Sequence, residues 1–423
     1  MHQPTLRFPQ FSSQIWIQAV GRSLYLCGYG LIEFCSPIIF VNYVGLSATT
    51  VGIGTSTYAL AALVSNFLGG PLADFAKVGR KGTLLLAALL AILASGIFAL
   101  THNLLTLIVA NLLYGLSTGF YWTAVGAAAT DLTTSEERHN AFAMLGLVES
   151  AGEGIGVLAG GVLINQTRGD LSIFLIAGLV FLFFLVLVWI AITKTQQEQD
   201  NPDNLPIMTG WVTAFRDKPL RIFVLVNVLF TIYVALVSVT MPLYLTNFIS
   251  EESVASLFSW WYIGLGAILQ PPLAYFLILF MNASRALMVS MLIWGLGFLG
   301  IWLFTGVTTA YTSLIILSLA VLAIANAIYK PFAATFIAEL APKSLRGVYT
   351  ALGSQCWAIG YFVGPLLGGW ALDQVQNVTH DLWISVAVST IFGIIILQFL
   401  HQNIAPPATA LLTDMEEKSP TVL

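Results

Sequence analysis

The chain has 423 residues, of which 58% are hydrophobic and only 9% are charged. Soluble domains carry roughly 25% charged residues, so this surface is built mainly to face lipid, and a mean hydropathy of +0.87 agrees. A formal net charge of −4 gives no reason to expect a nucleic-acid partner. The three cysteines, Cys27, Cys35 and Cys356, lie in apolar stretches, which excludes a disulfide framework or a cysteine-ligated metal site.

A helix that crosses a bilayer needs about 20 mainly apolar residues. In chain order, apolar runs predict spans at 14–40, 49–72, 82–101, 104–130, 140–165 and 171–193. After a polar break they resume at 220–247, 253–280, 286–305, 309–338, 346–371 and 381–401. The first run is too long for the apolar core of a signal peptide and is kept as a span. The expected organisation is an N-terminal six-helix bundle over 1–193, a cytoplasmic linker over 194–219, a C-terminal six-helix bundle over 220–401 and a disordered tail over 402–423.

Basic residues set the orientation. With the N-terminus in the cytoplasm, all 16 lysines and arginines except Arg168 and Lys330 fall at inner loops and ends, Arg22 among them. Both termini are therefore expected in the cytoplasm, with the chain crossing the plasma or inner membrane many times.

The halves repeat with one constant offset. Asp131 and Glu339 lie 208 residues apart, as do Arg138 and Arg346, Gly156 and Gly364, Gly160 and Gly368, and Gly161 and Gly369. An acid closes the fourth or tenth span, an arginine opens the next, and that span carries glycines at four-residue steps. Two tandem six-helix halves of one topology are what one class of secondary transporter is built from.

The loop between spans 2 and 3 reads GGPLADFAKVGRK, with Gly70, Asp74, Gly79, Arg80 and Lys81 in order. Span 11 carries Gly360, Gly364, Pro365, Gly368 and Gly369, and span 5 carries Gly152, Gly156, Gly160 and Gly161. On these motifs and the repeat, the chain resembles the major facilitator superfamily over nearly its whole length. The resemblance implies an all-α integral membrane fold, with about 12 helices in two pseudo-symmetric bundles, and a monomer that moves a small molecule. It also implies that the Asp74–Arg80 loop latches the halves on the cytoplasmic side. Glycines spaced by four mark faces that approach a neighbour closely, and they serve either plain helix packing or a moving seam.

Ionisable groups inside a span are costly and point to function. Glu33 in span 1, Glu149 and Glu153 in span 5, and Lys330 in span 10 are the four that stand out. Glu149 and Lys330 lie at comparable depth, so a pair between them across the halves is expected. A carboxylate in this group is expected to couple transport to protons, the competing account being charges fixed permanently in pairs. The repeat places Lys330 opposite Trp122, and Tyr329 opposite Tyr121. The resemblance puts these four near the substrate, with Trp357 as a further aromatic, and an aromatic pocket with few polar groups suits amphipathic or lipophilic molecules.

Related drug–proton antiporters often carry an arginine four residues before the first glycine of a span-4 motif, where this chain has Asn111 before Gly115 and Gly119. Gly115-Leu-Ser117-Thr-Gly119 matches a hydrolase pattern that needs a strand-to-helix elbow, and it lies inside an apolar helix. Asn165-Gln-Thr167 and Asn377-Val-Thr379 match glycosylation sequons in expected outer loops. No phosphate-binding loop, metal-ligand cluster or cofactor motif is visible, so neither an enzyme nor an ATP-driven pump is expected. Three functions remain: a proton-coupled exporter of amphipathic molecules, a proton-linked importer of an organic anion with Lys330 as counter-ion, and a receptor or enzyme without transport.

Overall fold

The computed structural model describes residues 12–74, 78–132, 138–192, 207–305, 312–342 and 346–404. The first six long helices are span 1 (Ser13–Tyr43), span 2 (Ala48–Asp74), span 3 (Gly79–Phe98), span 4 (Leu104–Asp131), span 5 (Arg138–Thr167) and span 6 (Ile173–Ala191). The second six are span 7 (Lys218–Leu245), span 8 (Glu251–Phe280), span 9 (Ala283–Thr305), span 10 (Thr312–Leu340), span 11 (Arg346–Leu372) and span 12 (Gln376–Ile404). Among the described residues, 11 helices are long and apolar enough to cross a membrane. Span 11, at 27 residues, is long enough too, but its glycines and polar residues dilute its apolar character.

The stretch expected as a polar link contains a ten-residue helix, Ile207–Arg216. Its Ala214 is buried, and the following Asp217 accepts a hydrogen bond of 2.6 Å from Tyr349 of span 11. The linker's apolar residues therefore form a docked turn of helix. Residues 193–206 and the expected disordered tail beyond Ile404 lie outside the described residues.

Three spans contain a widened, π-helical turn: Ile39–Tyr43 in span 1, Leu236–Thr240 in span 7 and Phe258–Gly264 in span 8. Such turns shift the register of side chains along a helix and concentrate at functional sites.

Glycine sets how the helices meet. A methyl group at Gly152 or Gly156 would overlap the carbonyl oxygens of Ser23 or Cys27, and one at Gly160 would lie 2.8 Å from Cys35 Sγ, so these three press span 5 onto span 1. In the second half, Gly360, Gly364 and Gly368 press span 11 onto span 7 at Thr231, Ala235 and Thr240. The second glycine of each doublet faces elsewhere. Gly161 meets Ala255 of span 8, and Gly369 meets Ala48 of span 2, 208 residues apart and both across the junction between halves. Gly52 of span 2 in turn leaves room for the carbonyl of Pro365. The glycine runs thus make close contacts of two kinds, one residue apart: within a half and across the junction between halves.

Candidate substrate and coupling site

The two ends of the molecule differ. Arg80, Lys81, Arg216, Lys218, Arg221 and Arg285 mark one as the basic end. Every cross-half hydrogen bond between described residues lies towards the opposite end. Asn42 donates to Thr246 at 3.4 Å, Tyr43 to Glu251 at 3.4 Å, and Asn165 to Glu252 at 2.8 Å. Asp373 accepts the backbone N–H groups of Ala48 at 2.9 Å and Thr49 at 2.7 Å, so a carboxylate of one half caps the first turn of span 2 in the other. Burial would raise the Asp373 pKa, but the hydrogen bonds from Thr49 and Ala48 outweigh it and hold the carboxyl below its usual range. Deeper in, Ser56 donates to the carbonyl of Phe362 at 2.7 Å and Ser259 to that of Gly154 at 2.8 Å.

Towards the basic end the halves part. Trp122 is 45% exposed, and Lys330 is exposed as well. They sit nine and ten residues from the ends of their spans, roughly 14–15 Å deep at 1.5 Å per residue. Among the described residues no hydrogen bond joins the halves on that side, and the space beside Trp122 and Lys330 is termed the vestibule.

Five charged groups and several aromatics lie around it. Arg22 is buried in span 1, and its guanidinium pairs with Glu149 and donates to the carbonyl of Val125 at 2.8 Å, tying spans 1, 4 and 5. This corrects two expectations. Arg22 is not an end charge, because it lies nine residues into its span, and the ion-pair partner of Glu149 is Arg22 rather than Lys330. Depth alone had matched Glu149 with Lys330, but the face of span 5 that bears Glu149 turns towards span 1. Lys330 makes no ion pair among the described residues, and its Nζ lies 6.0 Å from the ring centre of Trp357. Glu153, one turn beyond Glu149, accepts no hydrogen bond among the described residues and lies within electrostatic reach of Lys330.

Glu33 accepts a hydrogen bond of 3.1 Å from Tyr29 and lines a small cavity of about 30 Å³ with Tyr58, Tyr114 and Tyr361 at the closed end of the vestibule. Tyr361 was not singled out from the sequence, although the 208-residue offset leads to it from Glu153. The same offset leads from Glu149 to Trp357 and from Arg22 to Phe230. Trp260 and Trp261 lie in the widened turn of span 8, 65% and 41% exposed.

The remaining expected residues divide. Tyr121 and Tyr329 are buried in the cores of their own halves rather than facing the vestibule. Tyr121 stacks on Tyr25 at 3.7 Å, while Tyr329 stacks on Phe230 at 4.4 Å and donates to Asn227 at 2.7 Å. Each precedes its neighbour, Trp122 or Lys330, by about 100° of helix rotation, which carries one residue inward when the next points out. Arg80 donates to the carbonyl of Ala127 at 2.8 Å and Lys81 to that of Trp189 at 2.7 Å, so both cap helix ends within the first half. These two contacts lie within one half, and the expected latch also needs Asp74, whose side chain lies outside the described part. Gly79 has φ of 62°, the left-handed turn that opens span 3, and Gly70 has open space beside it. Glu339 is exposed at the end of span 10. The side chains of Asp74, Asp131, Arg138 and Arg346 lie outside the described part.

Residues 19–249 and 225–421 each match the model of the Major Facilitator Superfamily. The chain is 24% identical over 393 residues to "Multidrug resistance protein MdtH" of Shigella boydii serotype 4 (strain Sb227), covering 91% of this chain and 94% of that protein. The protein of that name from Escherichia coli O157:H7 is 23% identical over the same extent. Among solved structures, a mutant of the nucleoside transporter NupG superposes with a TM-score of 0.78 at 13% identity, covering 92% of this chain and 100% of the other. An auto inhibited POT family peptide transporter superposes with a TM-score of 0.75 at 12% identity, covering 93% and 98%. By the match of both its halves, the chain belongs to the major facilitator superfamily.

Proposed function

We propose that this membrane transporter exports amphipathic or lipophilic small molecules from the cell by alternating access, driven by protons. What supports the reading is the difference between the two ends: cross-half hydrogen bonds join the halves away from the basic end, Trp122 and Lys330 are exposed on the basic side, and Glu33, Glu149 and Glu153 lie inside the spans. A carboxylate in such a place can take up a proton from one side and release it to the other when the seal moves. Trp122 and Trp357 supply aromatic surface for an apolar body, and the relatives named as multidrug resistance proteins support this substrate class. The basic end is the cytoplasmic one by charge bias, which puts both termini inside the cell. The latch expected of Asp74 and Arg80 would then engage in the opposite state, with the vestibule turned outward.

A second reading follows from Lys330, an exposed cation without an ion pair among the described residues. It is a counter-ion for an organic anion, and the protein is a proton-linked importer. Purified protein in liposomes with an imposed pH gradient separates the two. Export predicts that an amphipathic dye is driven against the proton flow. Uptake of an anion along with protons, with no dye movement, would replace the first reading with the second. Thiol labelling at the exposed Asn377→Cys from outside and at Ser354→Cys from inside checks the orientation.

A further inference from the structure

The 208-residue repeat relates the two walls of the vestibule and reverses their charge. It maps Trp122 onto Lys330, Glu149 onto Trp357 and Glu153 onto Tyr361. Each half thus presents a tryptophan beside a charged group at equivalent places, with the order exchanged. In the second half the ammonium of Lys330 stands 6.0 Å from the Trp357 ring, and in the first half the acids of span 5 stand at the positions equivalent to that ring and to Tyr361.

Not every charge here is free. Glu149 is answered by Arg22, and Glu33 by the hydroxyl of Tyr29. Of the charged groups inside these spans, Glu153 accepts no hydrogen bond and Lys330 makes no ion pair among the described residues. They belong to opposite halves and lie near enough to attract each other. Glu153 is 15 residues from the basic end of span 5, and Lys330 is ten from that of span 10, so their levels differ by about 7 Å along the helix axes. One turn from Lys330, on the same face of span 10, the side-chain oxygen of Asn326 is buried without a hydrogen-bond partner. A buried acceptor left open is costly unless water or a ligand fills it.

We propose that this site takes zwitterions: an aromatic or otherwise flat body between Trp122 and Trp357, with a cationic amine towards Glu153 and an anionic group towards Lys330. The inference rests on the transporter reading and narrows its substrate class. A singly charged molecule leaves one wall charge without a partner. A zwitterion answers both and bridges the halves, which favours the state in which they close around it.

Binding to the purified protein tests this with three probes of one skeleton: 4-(aminomethyl)benzoic acid, its methyl ester, which keeps only the cation, and its N-acetyl derivative, which keeps only the anion. The zwitterion is expected to bind at least roughly tenfold more tightly than either derivative, since each charge-assisted contact is among the stronger hydrogen bonds. Glu153→Gln should lower the zwitterion to the level of the N-acetyl probe and leave that probe unchanged. Lys330→Met should lower it to the level of the methyl ester and leave the ester unchanged. Exchanging the charges, Glu153→Lys with Lys330→Glu, should restore the preference, which a variant that merely misfolds cannot do. Equal binding of all three probes, or a uniform loss in both single variants, would overturn the proposal. Liposome flux of Nile red, a neutral lipophilic dye, keeps the two levels apart. If Nile red moves and the zwitterion has no advantage, the substrate class is wrong and transport stands. If nothing moves under any gradient, the transporter reading fails, and the binding comparison still decides the site.

Discussion

Arg22 and Glu149 are a buried pair in which neither partner is replaceable alone. Removing one partner leaves a charge without its counterpart in a place that water reaches poorly, at a cost of about 3–5 kcal/mol. Arg22→Met is therefore expected to lower thermal stability in detergent sharply, and the double variant Arg22→Met with Glu149→Met should recover most of the loss. Lys330→Met should change stability by less than about 0.5 kcal/mol, as substitutions at exposed sites do. A thermal-unfolding series settles the assignment, and a Lys330→Met variant as unstable as Arg22→Met would return the pair to Glu149 and Lys330. At this scale the sequence was only half legible. Counting residues gave the depth of Glu149 and of Lys330, and that depth is what the structure has. Counting did not give azimuth, which depends on how each helix is rotated against its neighbours, so Tyr121 and Tyr329 were expected in the vestibule beside the residues that do face it. Arg22 was taken for an end charge because a helix start can be placed only to within a few residues, and nine residues is little more than two turns. The repeat held more than the glycines it was first read for, since the step from Glu153 leads to Tyr361 without any structure.

Glycines one position apart act on different motions. Gly156 lies against the carbonyl of Cys27 inside the first half, and a side chain there must push span 1 away from span 5. Gly156→Leu is expected to reduce the amount of folded protein and its stability together. Gly369 lies against Ala48 of the other half, so Gly369→Leu should leave each half folded and stop the seal from closing. The distinguishing measurement is thiol access near the seal, for example at Thr50→Cys. Access should rise in the Gly369 variant without a fall in stability, and equal loss of stability in both would mean that Gly369 packs rather than gates. Asp373 belongs to the same seal. Its cap on span 2 is worth about 1 kcal/mol by the usual cost of losing one, so Asp373→Ala should raise the open-to-closed ratio roughly fivefold. The pH dependence has a fixed sign. The carboxyl has a depressed pKa when it caps Ala48 and Thr49, so its contribution to the seal is present above its ordinary pKa and is lost as pH falls through the depressed value. Thr50→Cys should become more accessible in acid below about pH 4, and Asp373→Asn should remove that dependence.

The molecule as a whole was the most legible level. In lipid every backbone group must be satisfied within a helix, so runs of about 20 apolar residues leave little freedom, and the spans fall within a few residues of expectation. The offset of 208 then arranges them as two like halves. The end that is closed could not be read. Two arrangements of the same halves differ by a handful of contacts such as Asn165 to Glu252, and a sequence that must adopt both carries the marks of both: a basic loop suited to one closure and glycine doublets suited to the other. The sequon at Asn165 shows the same ambiguity, since the residues that would accept a glycan are here a hydrogen bond across the seal. That bond also allows the moving seal to be tested directly. Asn165→Cys with Glu252→Cys places two thiols where the side chains now meet at 2.8 Å, while the native Cys35 and Cys356 are buried and Cys27 is half-buried. Bridging the pair with a short thiol-to-thiol reagent holds the seal shut and leaves the vestibule open at the basic end. Transport in liposomes is expected to stop on bridging and to return on reduction, while Trp122→Cys in the same background stays reactive from the basic side throughout. Full transport by the bridged protein would mean that this end never opens, and alternating access through this vestibule would be wrong.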